Sequence, residues 1–196
     1  MRPTRLFGLL ALVVTGGAAL AQEKVENPEY SAWAKYKVGT SVTERTIVAG
    51  TSEETLTTTT LVKVTPEKVV VKVTAVTTEG GKRRAAAPRE EEYPKTVALP
   101  KGVSKAAFAA GKPKGTKKEG TETLKLFGQE LTTKWYEYEE KDKEKTSLRE
   151  FKSKVWVSDE VPMRAVKMHV KVKTTNKGEP PFTTDSRTEV VEFKKP

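Results

Sequence analysis

Most of this chain consists of segments in which apolar residues recur at every second position, which is the period of a β-strand. Val69, Val71 and Val73 share one side of such a segment, and Val166 and Val170 share one side of another. Because successive side chains of a strand point to opposite faces, each segment has an apolar face that must be buried. The pattern therefore predicts a protein that is mainly β.

Short turns rich in glycine, proline or charged residues separate these segments, which is typical of consecutive antiparallel strands in a meander. The predicted strands are 40–49, 54–64, 69–78, 82–93, 122–127, 130–140, 146–157, 165–173 and 187–193. The second strand is assigned an only moderately apolar face made of Leu56, Thr58, Thr60, Val62 and Val64. A flat sheet would leave such faces without a partner, so we expect a curved antiparallel sheet, a half-barrel or open barrel.

One short helix is predicted at 28–37, ahead of the strands. Asn27 suits the N-cap, Pro28 suits the first helical position, and Gly39 stands where a helix would end. Tyr30 and Trp33 lie one turn apart and give the helix an apolar stripe. Because so short a helix is marginal alone, we expect it to pack on the sheet.

Residues 94–120 interrupt the strand pattern with prolines, glycines and a lysine-rich stretch at 112–118. Such composition is typical of a solvated loop. We therefore expect a flexible loop near 100–120, with a helical turn at 103–110. The loop lies inside a single β-rich domain that spans 22–196.

The first residues have the composition of a secretory signal peptide. Arg2 and Arg5 precede an apolar run at 6–20, and Ala19 and Ala21 place small residues at the positions that a signal peptidase reads. The run is shorter than the roughly 20 apolar residues that span a bilayer. We expect 1–21 to be removed and the protein to be exported to the periplasm or the extracellular space, without a transmembrane anchor.

The formal net charge is +10 at pH 7. Lipid head groups or an anionic polymer of the cell envelope would match a basic surface. Lysines that alternate with apolar residues, as in 166–173, are also typical of a solvated outer strand face, and we favour this interpretation. Nucleic acid is not expected as a partner, because no aromatic residues interleave the basic run at 112–118.

Residue types that many enzymes and metal sites need are scarce. The chain has no cysteine and one histidine, His169, which lies among lysines on the polar side of its strand. Asp159, Glu160 and the acids at 90–92 are candidates for a carboxylate-dependent hydrolase by residue type alone. We expect a non-catalytic protein without metal or cofactor, with that hydrolase as the remaining enzyme alternative.

The aromatic residues are better candidates for a binding site. Tyr30 and Trp33 lie on the predicted helix, and Trp135 and Trp156 lie on strands. Core packing would explain Trp33 and Trp156. The functional alternative is an aromatic-lined pocket for an apolar or amphipathic ligand, with the helix as its lid.

Two stretches resemble exported proteins. Residues 27–43, continued by 61–71, resemble the opening of uncharacterised exported bacterial proteins. The stretch 154–162 contains Trp-Val-Ser-Asp followed by a proline, and resembles periplasmic half-barrel proteins similar to the outer-membrane lipoprotein carrier family. The resemblance implies a strongly curved antiparallel sheet with a helix in its concave side, and it assigns no functional residue. Those carriers line the concave face with large apolar residues, whereas the strands here offer threonine and valine.

These observations together predict a monomeric, exported binding protein for a lipid or another amphipathic ligand of the envelope, held between curved sheet and helix. Tyr30, Trp33, Trp135 and Trp156 are the expected contacts. The alternative is a structural or interaction protein of the cell envelope that binds anionic polymers.

Overall fold

The computed structural model describes residues 23–143 and 147–196, so the predicted signal peptide at 1–21 lies outside the described residues. Among the described residues, no helix is both long and apolar enough to cross a membrane. The elements are β1 Lys24–Glu26, α1 Pro28–Ala34, β2 Ser41–Val48, β3 Glu54–Val64, β4 Lys68–Glu79, β5 Lys82–Ala85, β6 Arg89–Pro94, β7 Thr96–Ala98, α2 Lys105–Ala109, β8 Thr116–Leu126, β9 Gln129–Lys143, β10 Ser147–Val157, β11 Ala165–Asn176 and β12 Phe182–Lys194.

One antiparallel sheet contains every described strand except β1 and β7, which pair with each other. Its order is β5–β4–β3–β2–β12–β11–β10–β9–β8, and β6 also pairs with β4. Two meanders, β2 to β4 and β8 to β12, join where β2 pairs with β12. The sheet does not close, which is consistent with an open half-barrel. The predicted fold class, a curved antiparallel sheet with a short helix packed on it, is confirmed.

Helix α1 begins as its sequence predicts. The Asn27 side chain accepts a hydrogen bond from the Glu29 amide at 3.0 Å and donates one to the Pro94 carbonyl at 2.9 Å. The helix ends at Ala34, three residues before the predicted end at 37. It packs on β4 and β6, and the Tyr30 hydroxyl donates to a turn carbonyl next to β4. The helix is therefore fixed to one side of the sheet.

The loop predicted near 100–120 is shorter in the structure. Helix α2 falls within the predicted helical turn, with Ser104 as its N-cap. Strand β8 then begins at Thr116, so Lys117 and Lys118 belong to the sheet. Pairing with β9 explains this difference, because the Lys118 ammonium lies 3.8 Å from the Glu137 carboxylate across the two strands.

The edge segment predicted at 82–93 is two strands, β5 and β6, which pair side by side with β4. The break between them contains Pro88, which has no N–H to donate to a strand ladder.

The predicted face of β3 is wrong. Leu56, which was assigned to its apolar face, is 36% exposed, whereas Leu61 and Thr59 are buried. Leu61 pairs with Val71, and a register shift follows it before Lys63. The apolar face of β4 selects the buried face of β3 through this pairing, and the threonine-rich sequence of β3 alone does not reveal it.

A main core cluster connects the helix to the sheet. Its buried members are Trp33, Val42, Leu61, Val69, Val71, Val73, Leu131, Trp156, Val161, Val166 and Val190. A smaller cluster contains Tyr136, Val155 and Val157. The described residues therefore bury a core large enough to support a fold without cysteine.

Candidate functional site

The register of the strands divides their side chains between two faces, because directly paired residues of antiparallel strands share a face. We call one the inner face, and define it by the paired row Thr46, Thr188, Met168, Val155 and Tyr136. We call the other the outer face, and define it by the paired row Arg45, Glu189, Lys167, Trp156 and Trp135. Helix α1 lies on the inner face, where Trp33 packs with Leu61 and Val71 in the main core cluster.

The four aromatic residues predicted to bind a ligand all belong to, or pack against, the main core cluster. Tyr30 and Trp33 approach it from the helix, whereas Trp135 and Trp156 are neighbours on the outer face. Trp33 is 1% exposed and Trp156 is 8% exposed, so these two side chains offer little surface to a ligand in this conformation. Their contact with a ligand stays a prediction.

Trp135 and Trp156 take part in a stack of rings and lysines on the outer face. The Lys154 ammonium lies 4.2 Å from the Trp135 ring centroid and 4.7 Å from that of Trp156, and the Lys167 ammonium lies 5.3 Å from the Trp156 ring. Trp135 also lies against Gly120, where an added Cβ would come within 2.7 Å of its indole. The faces of both indole rings thus contact lysines or a glycine of the chain itself. These contacts explain the two tryptophans by packing within the protein.

Several other lysines of the outer face have acidic neighbours on adjacent strands. Lys141 lies 2.6 Å from Glu150, and Lys152 lies 3.6 Å from Glu139. Asp185 accepts a hydrogen bond at 2.7 Å from the sole histidine, His169. These cross-strand pairs support the interpretation of a solvated, charge-balanced face.

The inner face combines apolar and hydroxyl groups. Thr46 and Thr188 share a buried hydrogen bond of 2.9 Å at the centre of the sheet, where β2 meets β12. Beside them Val48, Met168 and Val170 are only half-buried, although they face the side that carries the helix. The inner face therefore keeps amphipathic surface that the described parts of the chain do not fully cover.

Two carboxyl groups lie on this side of the sheet. Glu29 is in the first turn of α1, and Glu44 follows Val42 on the inner face of β2. Burial raises the pKa of Glu29 to about 7, although Arg164 acts to lower it. Burial raises the pKa of Glu44 to about 7 as well, and repulsion from Glu29 adds to the effect. Both residues nevertheless keep a minority of their surface accessible, so solvent reaches them.

Other polar groups near these carboxyls already have partners. The Arg164 guanidinium lies 3.3 Å from the Asp159 carboxylate. The Tyr93 hydroxyl donates to Glu91 at 3.0 Å, and Glu91 also pairs with Arg89 at 2.8 Å. Within 23–143 and 147–196, by contrast, the carboxylates of the two acids described above have no hydrogen-bond or ion-pair partner. Both side chains keep part of their surface accessible, so water remains available to their oxygens.

Arg164 is held in an unusual backbone conformation, with a φ of +56° in the turn between β10 and β11. Its side chain is largely buried and lies against Gly111, after α2. A non-glycine residue in this region costs conformational energy and persists where its surroundings determine it. The turn thereby directs a fixed positive charge toward the inner face near Glu29.

The acids proposed from the sequence as hydrolase candidates have other positions. The Asp159 side chain is 82% exposed and pairs with Arg164, while Glu160 accepts a hydrogen bond from the Thr132 amide. The acids at 90–92 belong to β6, where Glu92 lies 2.6 Å from Lys68 on β4 and Glu91 lies 2.8 Å from Arg89. Among the described residues, no group of three or more potential ligands is arranged to hold a metal ion.

Two open surface depressions lie elsewhere on the described part of the chain. One, of about 280 Å³, lies on β8 and β9 beside Tyr136, and the other, of about 350 Å³, lies near Lys68 and Glu92. Neither is lined by the four predicted aromatic contacts.

Sequence reasoning missed Glu29 and Glu44 as site residues. In the sequence Glu29 is a favourable acid for the first turn of a helix, and Glu44 resembles the acids of other strands. The alternation Val42, Glu44, Thr46 contains the signal, because it puts an acid on the same face as a core valine.

No protein-family model matches this chain, and a search of the curated proteins gave no match either. Its function is therefore inferred from the geometry of the inner face.

Proposed function

We propose that the protein is an exported, non-catalytic binding protein for a lipid or another amphipathic ligand, which lies on the inner face between α1 and the sheet. One observation supports this proposal above the others. The inner face continues from a buried apolar floor to half-buried Met168 and Val170, and two unpaired carboxyl groups, Glu29 and Glu44, lie on the same side.

The floor of this surface suits an alkyl chain. Val42, Leu61 and Val190 are buried there beneath the helix and on the central strands. Each buried CH₂ group of a ligand contributes about 0.8 kcal/mol. The interspersed threonines lower this gain, so the face suits a single chain or a short one better than a bulky diacyl lipid.

Helix α1 would form the lid, because it is short and lies over the buried floor. It has seven residues, a length that is marginal without tertiary packing. Its anchors include the Asn27 side chain on Pro94, the Asn27 amide on the Lys95 carbonyl and the Tyr30 hydroxyl on the Thr65 carbonyl, while Trp33 packs in the core. Movement about these anchors would expose the Trp33 ring together with the apolar floor, which is how a ligand would come to touch it.

Binding of an anionic envelope polymer has less support. It would use the basic outer face, but many lysines there already lie beside acids on neighbouring strands.

Mass spectrometry of organic extracts from natively purified protein tests the proposal. We expect a stoichiometric amphiphile in the native protein and its loss in a Trp33→Ala variant that retains the β-sheet circular dichroism spectrum. A Phe182→Ala variant is the control, since Phe182 is an exposed aromatic residue, 53% accessible, at the start of β12. An extract free of amphiphile, together with no uptake of added single-chain amphiphiles, would contradict the proposal.

A further inference from the structure

We propose that two copies of this chain pair edge to edge through β8, so that their sheets form one continuous antiparallel sheet. The two-fold axis of this dimer passes beside Gly120, which lies opposite Gly120 of the second copy. The inference goes beyond the proposed function and does not depend on the ligand. It also differs from the monomer that the sequence led us to expect.

Strand β8 is an open edge of the sheet. It has 11 residues and stands last in the strand order, and no described strand pairs with its free side. Alternate residues of an edge strand direct their N–H and C=O groups away from the sheet, where a further strand can bind them. The part that pairs regularly with β9, residues 118–126, contains no proline. Its backbone is therefore available to an extended segment.

The opposite edge of the sheet is less suitable for pairing. There β5 has four residues and β6 has six, and both lie beside β4. Pro88 lies between these two strands and Pro94 ends β6, and a proline has no N–H to donate to a ladder. Among the described strands, β8 is thus the edge on which a second copy can form the longer uninterrupted ladder.

The charges of β8 select one register for a symmetric pair. In an antiparallel pair related by a two-fold axis, the central residue lies opposite its own copy. An axis at a charged residue would place like charges opposite each other, and an axis at Thr121 would do the same for two lysines. An axis at Thr123 would create no ion pair. An axis at Gly120 avoids like charges and places Lys118 opposite Glu122 of the second copy, twice by symmetry.

Lys118 and Glu122 are both available for this contact. They belong to the outer face, because they pair with Glu137 and Thr133 of β9. The Lys118 side chain is 73% exposed, and its ammonium lies 3.8 Å from the Glu137 carboxylate. Glu122 accepts a hydrogen bond from the Trp156 indole, but no basic side chain within 23–143 and 147–196 forms an ion pair with it. Each would gain an opposite charge from the second copy.

Trp135 gives the centre of this seam an apolar cover. Its indole lies over Gly120, since a Cβ added at that glycine would come within 2.7 Å of the ring. The ring therefore covers the backbone of the edge strand and extends toward the second copy. In the dimer, three strand spacings, about 14 Å, separate the Cα atoms of the two Trp135 residues. The two indoles would approach each other above the paired glycines and shield the central hydrogen bonds from water.

Sedimentation equilibrium over a dilution series measures this dimer. We expect the native protein to change from a single chain to a dimer as its concentration rises. Lys118→Glu and Glu122→Lys should each weaken the dimer about tenfold, because both ion pairs become like-charge contacts. An equal mixture of the two variants should restore dimerisation, since each chain then supplies the charge that the other needs. Arg83→Glu reverses a charge on the opposite edge and is expected to dimerise like the native protein.

Cysteine cross-linking tests the register independently. The chain has no cysteine. In the proposed dimer Glu119 lies opposite Thr121 of the second copy, and side chains of directly opposite residues have Cβ atoms about 4.5 to 5.5 Å apart. A mixture of Glu119→Cys and Thr121→Cys should therefore form a disulfide under a mild oxidant faster than either variant alone.

The outcomes decide between the seam and its alternatives. A native protein that stays a single chain up to about 1 mM would contradict the dimer, because even a weak pair forms at that concentration. A dimer that tolerates both charge reversals, or that mixing does not restore, would place the contact elsewhere. Circular dichroism checks the fold of Glu122→Lys, which loses the hydrogen bond from Trp156. If that variant does not fold, equal cross-linking rates in the cysteine experiment would still overturn the proposal.

Discussion

Replacing Glu44 with glutamine should make the protein more stable at pH 8 and leave its stability nearly unchanged at pH 5. The folded-state pKa of Glu44 is raised from 4.5 to about 7, mainly by burial and secondly by Glu29. A group with a raised pKa stabilises the fold while it is protonated, and that contribution is lost as the pH rises through the folded value. The native protein should therefore lose stability between about pH 5 and pH 8.

The size of the effect follows from the shift. One pKa unit corresponds to about 1.4 kcal/mol, so the full shift is worth about 3 kcal/mol. The side chain keeps some exposed surface, and solvent screening reduces this value. We therefore expect Glu44→Gln to gain about 1 to 3 kcal/mol over the native protein at pH 8. Part of the gain also comes from Glu29, which loses a repelling neighbour.

Urea unfolding followed by circular dichroism at pH 5 and pH 8 measures this effect. The quantity to compare is the change in unfolding free energy between the two pH values for each protein. Glu79→Gln serves as the control, because it changes the net charge equally at an exposed position. If the native protein and Glu44→Gln lose the same free energy on going from pH 5 to pH 8, the carboxyl is not held away from water and the reasoning fails.

Three further substitutions test the packing around the site. Gly120→Ala should lower the free energy of unfolding by about 1 to 3 kcal/mol, because its Cβ would meet the Trp135 indole at 2.7 Å. In thermal melts the loss should be smaller when Trp135→Leu is already present, and an equal loss would contradict the contact. Lys154→Ala should lower the free energy of unfolding by about 1 kcal/mol and shift the tryptophan fluorescence emission, because the ammonium lies over two indole rings. Unchanged emission would show that the stack does not form. Asn27→Ala should lower the free energy of unfolding by about 1 kcal/mol through loss of the helix cap and of the hydrogen bond to Pro94. The measurement is the rate of proteolysis near α1, which should rise; a rate equal to that of the native protein would argue against the cap.

Local signals in the sequence were reliable where structure depends on neighbouring residues. Asn27 and Pro28 determine the start of α1 through a cap and a fixed φ, because Asn27 is the N-cap and Pro28 is the first helical residue. The bounds of β3 agree with its run of threonine and valine for the same reason. The mainly antiparallel fold follows from several such strands joined by short turns.

Non-local pairing decided the features that the sequence did not reveal. The lysines at the start of β8 resemble loop residues until β9 supplies Glu137 opposite Lys118. The buried face of β3 depends on β4, which selects Leu61 instead of Leu56. The candidate site depends on a helix turn and a strand that come together only in the fold, so Glu29 and Glu44 could not be paired in advance.

The pairing of β2 with β12 has a consequence for how the chain reaches its native state. Arg45 and Glu189, which pair there, are separated by 144 residues in sequence. Each meander can assemble from nearby segments, but the central seam between them requires closure of a very long loop, which is entropically slow. Until β12 docks, β2 and β11 are both open edges that can pair with other chains. Docking of β12 thus ends the aggregation-prone phase of folding, and it should be the rate-limiting event in refolding.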